Sequence, residues 1–394
     1  MSGPMHATDT PEARAEALLP LVRANADAAE AQRHLPAAVA EAFARAGLYR
    51  IAAPASCGGE EADPATQIRT IEIISRADGS AGWNLMIGVE SFGLIAPGFE
   101  RCPELIADPM VVLCSSTAAV GHAEAVDGGY RVNGQWQFVS GCHNSQLFGA
   151  TVRLHRDGQP LPQRGNVYAL VPRADFEILD TWRVSGLAGS GSHDVRVTEA
   201  FVPENRIVAP IGGNAGDSPL LRFPLGPRLA YNKVAVALGI ARAAIDAFTD
   251  VARGKVPRFS SRSLCHRPRA QRAAAEAEVR VRGCRALVFD LVDRLWEDVL
   301  VERQIPAEHL ALFQAACCDA AAGCAQAVDL LCDAAGTTAN AKGHPLERLA
   351  RDVRVVRQHA SVASHHIEDA GRVFLGLPAE GLMLKGLAGR MPTS

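Results

Sequence analysis

Between Pro345 and Gly376 the apolar residues Leu349, Val353, Val356, Ala360, Ala363, Ile367, Ala370 and Phe374 recur at alternating intervals of four and three. That spacing winds one apolar stripe along a single long helix spanning about 344–375. A second row at the same spacing, Asp352, Val355, His359, Val362, His366 and Asp369, places two imidazoles on the helix shoulder, where they would border a cleft. Helical periodicity also runs through Pro11–Ala31, Pro36–Ala46, Ala62–Ala77 and Ser80–Ile95, and again through 228–254, 268–303 and 306–335. Between these blocks the texture changes. Val111–Ser115, Tyr130–Val132, Trp136–Ser140, Leu147–Leu154, Asn166–Val171, Phe176–Ile178 and Asp194–Val202 are short β-branched or alternating runs separated by turn residues, the pattern of an antiparallel sandwich or barrel. The expected architecture is therefore α+β: an N-terminal helical domain (1–110), a central β domain (111–215) and a C-terminal four-helix bundle (225–394), with a disordered start at 1–10 and a Gly/Pro-rich linker at 210–227.

Composition narrows the class. The 394 residues carry forty basic and forty-three acidic side chains, a formal charge of −3, with no run of like charge; nucleic acid is not an expected partner and a small molecule is. Ten cysteines form no CxxC pair and read as buried thiols in a reducing cytoplasm. The opening residues lack a signal peptide's charged and apolar regions, and no later segment offers about 18 uncharged apolar residues. A soluble protein that keeps its N-terminus, with no membrane partner, is expected.

Four motifs, in order, carry a family likeness. They are GlyLeuTyrArgIleAlaAlaPro at 47–54 with GlyGly at 58–59; AspGlyGlyTyrArgValAsnGlyGlnTrpGlnPheValSerGly at 127–141; TrpArgValSerGlyLeuAlaGlySerGlySerHisAspVal at 182–195 with PheValPro at 201–203; and ProLeuGluArgLeuAlaArgAspValArg at 345–354. Over nearly its whole length the chain resembles the acyl-CoA dehydrogenase superfamily. It is most similar to the flavin-dependent monooxygenase branch, the oxygenase components of two-component systems that hydroxylate phenols and related compounds. The resemblance implies the acyl-CoA dehydrogenase-like fold, with helical domain, β-barrel or sandwich, and four-helix bundle.

The informative departure follows ArgAspValArg. The dehydrogenases place a Tyr-Glu pair at the position of His359-Ala360, and the glutamate is their base; here a methyl group stands in its place. His359 occupies the position of the monooxygenases' active-site histidine, so the resemblance implies oxygen chemistry. An imidazole of ordinary pKa could deprotonate a phenol or hydrogen-bond a flavin hydroperoxide. Taken alone, a histidine on a core helix is more often a hydrogen-bonded filler. His365 and Asp369 stand at metal-compatible spacing, and His366 is nearby, but no further ligand cluster accompanies them, so no metal is expected.

The resemblance also implies a flavin site. Ser115 and Ser116 fall on a strand that bonds the flavin pyrimidine, Trp136 and Phe138 alternate along the next strand, and Ser140 matches the serine beside flavin N5, giving it a catalytic role beside His359. Ser190 and Ser192 match a turn against the flavin. Arg258 matches an arginine that reaches the flavin phosphate, with Arg262, Arg267 and Arg269 as competitors in the same loop, and Thr337 and Thr338 match a segment contacting a neighbour's flavin. His143 and Asn144 match only loosely. By themselves these segments read as ordinary turns and exposed loops. Trp83, Asn84 and Phe92, together with His359, are expected to line the substrate, and reduced flavin to lie between the β unit and the bundle. No GxGxxG strand-helix unit is present, so reduced FMN or FAD, with the resemblance leaning to FMN, would come from a separate NAD(P)H:flavin reductase and react with O2. A homotetramer is expected. Alternatives on the same fold are an N- or S-oxygenating monooxygenase, an acyl-CoA dehydrogenase with a relocated base, and a flavin-free scaffold.

Overall fold

The computed structural model describes residues 9–162, 165–209 and 218–385. Residues 1–8 of the expected disordered start and 210–217 of the expected linker lie outside them. Helices α1 (Pro11–Gln32), α2 (Ala37–Arg45), α3 (Pro64–Ala77) and α4 (Gly79–Phe99) come first. Strands β1 (Leu113–Val126), β2 (Gly129–Val139), β3 (Leu147–Arg156), β4 (Gln159–Pro160), β5 (Asn166–Pro172), β6 (Glu177–Leu179), β7 (His193–Pro203) and β8 (Ile207–Val208) follow. The chain ends in α5 (Pro219–Arg222), α6 (Leu225–Gly254), α7 (Pro268–Leu300), α8 (Ala307–Ala335), α9 (Pro345–Val356), α10 (His365–Phe374) and α11 (Leu382–Lys385). By internal packing these residues form two units. Among the described residues the first lies within 9–63, 83–184 and 188–222, and the second within 64–82, 185–187 and 223–385.

The first unit is built on one sheet with the strand order β6-β7-β2-β1-β3-β5-β8, β4 pairing with β3. Its pairing is mixed, whereas the alternating runs predicted antiparallel neighbours throughout: β1 and β3 run parallel from Leu113↔Leu147 to Glu124↔His155. Hairpin geometry explains this. β2 folds back on one edge of β1, so the chain leaving β2 reaches the free edge of β1 at the end where β1 began, and β3 must start in the same direction. β1 extends well past the predicted Ser115 because its register shifts between Ser116 and Gly121, which hides the alternation. Trp136, Phe148, Phe176 and Val195 fill the core on this sheet.

In the second unit α6, α7 and α8 pack with α3, α9 and α10. From Ala230 to Ala241 every residue of α6 is buried, so this part of the helix shows no polar face. α8 turns Cys317, Ala321, Cys324 and Val328 inward, and burial holds the thiols of Cys317 and Cys324 protonated, as small hydrophobes. None of the ten cysteines is in a disulfide. The segment Ala307–Asn340 is long and apolar enough to cross a membrane by length and composition, but most of its apolar window is buried among its neighbours.

The single long helix expected at the C-terminus is two helices. α9 stops at Val356 and α10 starts at His365, so the stripe and its shoulder row do not continue across the gap. The carbonyls that a continuous helix would consume are taken by side chains instead. His366 Nε2 donates to Ala360 O at 2.6 Å, Gln314 Nε2 to Ser361 O at 2.8 Å, and Cys318 Sγ to Ala363 O at 3.5 Å. Two of these three donors sit on α8, so the break is a tertiary effect that apolar spacing does not encode.

Upstream, α9 grips the segment 185–187. Asp352 Oδ1 accepts from Leu187 N at 2.6 Å, and Arg351 donates to Ser185 O. Burial, then the charge of Asp78, pushes the Asp352 carboxyl up to about 7. A proton held more tightly folded than unfolded makes stability fall as pH climbs from about 4 to about 7, because the folded protein must give it up. Asp352→Asn keeps an acceptor for Leu187 and carries no charge. Its thermal stability should match the wild type near pH 4 and exceed it near pH 8, by on the order of 1–3 kcal/mol, read from paired melting curves.

Candidate functional site

In the first unit three serine hydroxyls and an indole form one hydrogen-bonded chain. Trp83 Nε1 donates to Ser140 Oγ at 3.0 Å, Ser140 Oγ lies 2.7 Å from Ser192 Oγ, and Ser192 Oγ lies 2.7 Å from Ser190 Oγ. All four residues are buried. An indole donates and never accepts, so the first bond has a fixed sense. Three bonds use three of the four available protons. One hydroxyl proton, at Ser140, Ser190 or Ser192, is left for something outside the chain.

Local backbone places these serines. The register of β2 on β7 shifts between Trp136 and Val139, and Phe138 sits there at φ 58, a bulge that re-aims the strand end. Ser140 N bonds Phe138 O at 3.0 Å, and Gly141 N bonds Ser190 O at 3.0 Å, which ties the β2 end to the 188–192 turn. The bulge also leaves the Phe138 ring largely exposed, edge-on to Trp182. Beside the chain, Tyr49 donates to Asn84 Oδ1 at 2.7 Å, and burial pushes its phenol well above the ordinary value, keeping it a donor. A side chain at Gly88 would collide with the Tyr49 ring, so glycine lets that ring lie against α4. Asn84 Nδ2 is buried with no hydrogen-bond partner. Ser91 and Ser115 pair at 2.8 Å.

Two expected contacts are instead core residues. Trp136 is fully buried, donates to Thr151 O at 3.0 Å and meets Phe148 edge-on, so its ring is consumed by the sheet. Phe92 is also fully buried, against Phe99 and under the Arg50 guanidinium, and has no face for a substrate. Ser116 serves its own turn, its Oγ accepting from Ala118 N and its carbonyl from Thr151 Oγ1.

In the second unit His359 lies in the turn between α9 and α10. Its Nδ1 accepts from Ser361 N at 3.2 Å, which leaves the proton of the neutral ring on Nε2. Burial, then the charge of Lys233, pushes the ring down to about 3. A ring held neutral in this way favours giving a hydrogen bond over taking a proton from a phenol. It offers an N–H. Lys233 is itself buried in α6. His366 is spent on the Ala360 carbonyl, and Asp369 Oδ1 accepts from Glu380 N at 2.6 Å, so both have structural partners; His365 stacks obliquely on His366. Among the described residues no group of three His, Cys, Asp or Glu side chains could hold a metal ion.

The chain matches the model of the acyl-CoA dehydrogenase N-terminal domain over residues 14–97 and that of the C-terminal domain over residues 231–364. It is 34% identical over 365 residues to an indole-3-acetate monooxygenase of Pseudomonas putida, covering 92% of this chain and 93% of that one. To the flavin-dependent monooxygenase oxygenase subunit HsaA of Rhodococcus jostii it is 31% identical over 362 residues, covering 88% and 93%. The crystal structure of a 3-HSA hydroxylase from Rhodococcus superposes with a TM-score of 0.84 at 28% identity, covering 96% of this chain and 100% of that one.

The chain belongs to the acyl-CoA dehydrogenase family, in its flavin-dependent monooxygenase branch.

Reduced flavin is the cofactor of this branch, and the residues present suit it. The spare proton of the serine chain and the unpartnered Asn84 amide are buried donors, and a flavin ring is rich in acceptors. Two other expected contacts are brought together in the second unit: Lys255 Nζ donates to both Ala335 O and Thr338 Oγ1 at 2.7 Å, so the loop carrying Arg258 is tied to the turn of Thr337 and Thr338. Arg258 is exposed, its guanidinium 5.0 Å from the ring of Phe259. Tyr49, Ser91 and Lys233 are additions to the expected set. Lys233 had a signal, being the lone charge in the apolar run 229–241, and Tyr49 lies within the 47–54 motif; Ser91 had none, since its pairing depends on a partner distant in sequence.

Two tryptophan variants separate core from site. Trp136→Phe should lower stability by about 1–3 kcal/mol, leaving the Thr151 carbonyl unpaired, with reduced-flavin affinity unchanged. Trp83→Phe should weaken reduced-flavin binding by about tenfold, the worth of one hydrogen bond, in anaerobic titrations.

Proposed function

We propose that this flavin-dependent monooxygenase hydroxylates an aromatic small molecule, working as the oxygenase partner of a separate NAD(P)H-dependent flavin reductase in the cytoplasm. The observation that carries the reading is the buried hydroxyl chain with one proton to spare, a donor device for an acceptor-rich ring. The indole-3-acetate monooxygenase and the hydroxylase similar to this chain support an aromatic substrate. Ala360, in place of the dehydrogenase glutamate, removes the base that acyl-CoA desaturation needs.

Reduced flavin, when bound, supplies the activation of dioxygen. This chain's residues do the rest. Ser140, backed by Trp83 on one side and Ser192 on the other, would hold a proton toward the flavin, with Ser190 in the same chain, and Ser115, paired with Ser91, would add a further hydroxyl. Trp83 and Asn84 orient the substrate. His359 presents Nε2–H to an electron-rich atom of the substrate, and the nearby Lys233 charge favours an anionic form of that substrate over a neutral one. Arg258, with Thr337 and Thr338, is assigned to the flavin phosphate, in a homotetramer whose neighbouring subunits share these contacts.

The two catalytic assignments have distinct signatures. Replacing Ser140 by Ala should raise the share of consumed dioxygen that ends as hydrogen peroxide, measured with an oxygen electrode before and after catalase. For His359 the wild-type rate should show no titration near the ordinary histidine value of about 6.5, and His359→Gln, which keeps an N–H, should stay within about tenfold of wild type while His359→Ala falls further. A rate that climbs with an apparent pKa near 6.5 in wild type and vanishes equally in both variants would return the ring to the role of base.

A further inference from the structure

The first unit carries a second concentration of titratable side chains that the serine chain does not use. They line a cleft of about 680 Å3 formed by the end of α1, the turn after β2, and the strands β6 and β7. His34 stacks on His143 with ring centres 4.3 Å apart and planes 10° apart, and His143 meets His193 nearly edge-on at 4.8 Å. Arg173 borders the same cleft. Its guanidinium donates to Phe176 O at 2.9 Å and lies 4.8 Å from the centre of that ring, and no carboxylate among the described residues pairs with it.

The acidic groups facing the cleft are engaged. Asp180 is paired with Arg33 and Arg183, and Glu177 with Arg196 at 3.4 Å. His193 is wired to the backbone, its Nε2 at 3.3 Å from Arg33 O and its Nδ1 at 3.1 Å from Leu179 O, with Asp180 3.8 Å away. What remains is a surplus of donors: one guanidinium without a carboxylate and two stacked imidazoles on the cleft wall, His34 half-buried with its Nδ1 3.2 Å from Leu35 O and His143 with an exposed edge. Hydrogen-bond donors and positive charge without matching acceptors define a place for an acceptor-rich anion.

We infer that this cleft binds a small oxyanion, a phosphate or a carboxylate, held by Arg173, His34 and His143 and taken up together with a proton on His143. Burial, followed by the charges of His34, His193, Arg173 and Arg33, holds His143 down to about 4 when the cleft has no anion. An anion among these groups reverses that electrostatic penalty, so the ring gains a proton on binding, and affinity rises as pH falls, by up to about tenfold per pH unit per proton. No metal is implied, since no cluster among the described residues has metal-binding geometry. The cleft adjoins the serine chain through one loop. A Cβ on Gly191, between Ser190 and Ser192, would lie 3.1 Å from His34 Cβ and 3.7 Å from His143 Nδ1, and Cys142 Sγ donates to Gly191 O at 3.4 Å.

The test uses the full chain without flavin, so its outcome is independent of the monooxygenase reading. Sulfate serves as a tetrahedral probe and benzoate as a carboxylate probe, neither changing charge between about pH 6 and about pH 8. Calorimetry, with histidine ring-proton NMR as the second readout, should show saturable millimolar or tighter binding of at least one probe, at least about tenfold tighter at the lower pH, with the same imidazole signals shifting. Binding of sulfate alone assigns the cleft to phosphate-like ligands, and binding of benzoate alone to carboxylates. Arg173→Gln and His143→Gln, both at exposed positions, should each weaken binding about tenfold with the melting temperature unchanged. Absence of saturable binding by either probe, affinity equal at both pH values, or binding undiminished in Arg173→Gln would overturn the assignment.

Discussion

An indole N–H can give a hydrogen bond and cannot accept one, and the spare proton of the serine chain follows from that single asymmetry. Trp83 must donate to Ser140, so the Ser140 hydroxyl proton is not needed for that bond, and the four protons of the chain exceed its three internal bonds. Burial makes this matter. In water a spare hydroxyl proton would find a solvent partner at no cost, whereas in a dry site it demands an acceptor, and the net worth of one such bond is about 1 kcal/mol with a larger penalty when it is left unmade. The strained bulge at Phe138 is the backbone side of the same device, since it turns the end of β2 so that Ser140 and Gly141 both meet the 188–192 turn.

The break between α9 and α10 works by a comparable exchange. A helix continues when its carbonyls have nothing better than the next turn's N–H groups, and here Gln314, Cys318 and His366 offer alternatives to three successive parts of the segment 360–363. The turn that results places His359 where Ser361 N–H fixes its tautomer. On a regular helix that N–H would have bonded a backbone carbonyl, and the ring would have been free to carry its proton on either nitrogen. A tautomer set by the backbone is a stronger statement about chemistry than the residue type, because it decides whether the side chain gives or takes a proton.

Buried charge gives the second unit its chemical character. Lys233 on α6 and Asp352 on α9 sit in surroundings that would suit aliphatic residues: the Lys233 charge adds to burial in depressing the His359 ring, while burial and Asp78 hold the Asp352 carboxyl up even as it accepts from Leu187 N. Such groups are costly to bury, so their presence marks positions where packing alone was not the requirement.

Hydrophobic periodicity by itself determined the order of helical and β segments, because burial on one face leaves a local, countable trace, and nearly every predicted helix has its counterpart within a few residues. The family and the flavin were legible for a similar reason: the motifs that carry them are contiguous. Where the spacing pointed wrong, distant partners had intervened. Trp136 was expected at the flavin and Phe92 at the substrate, but the sheet and Arg50 enclose them; β1 and β3 pair parallel because β2 returns the chain to the end where β1 began, and the last helix ends early because α8 supplies donors. Tertiary structure alone decided which nitrogen of His359 bears the proton, which hydroxyls share protons, and that His34, His143 and His193, far apart in the chain, stand ring against ring. Hydrogen-bond partnership and electrostatic environment are properties of neighbours in space, and a sequence names its neighbours only along the chain.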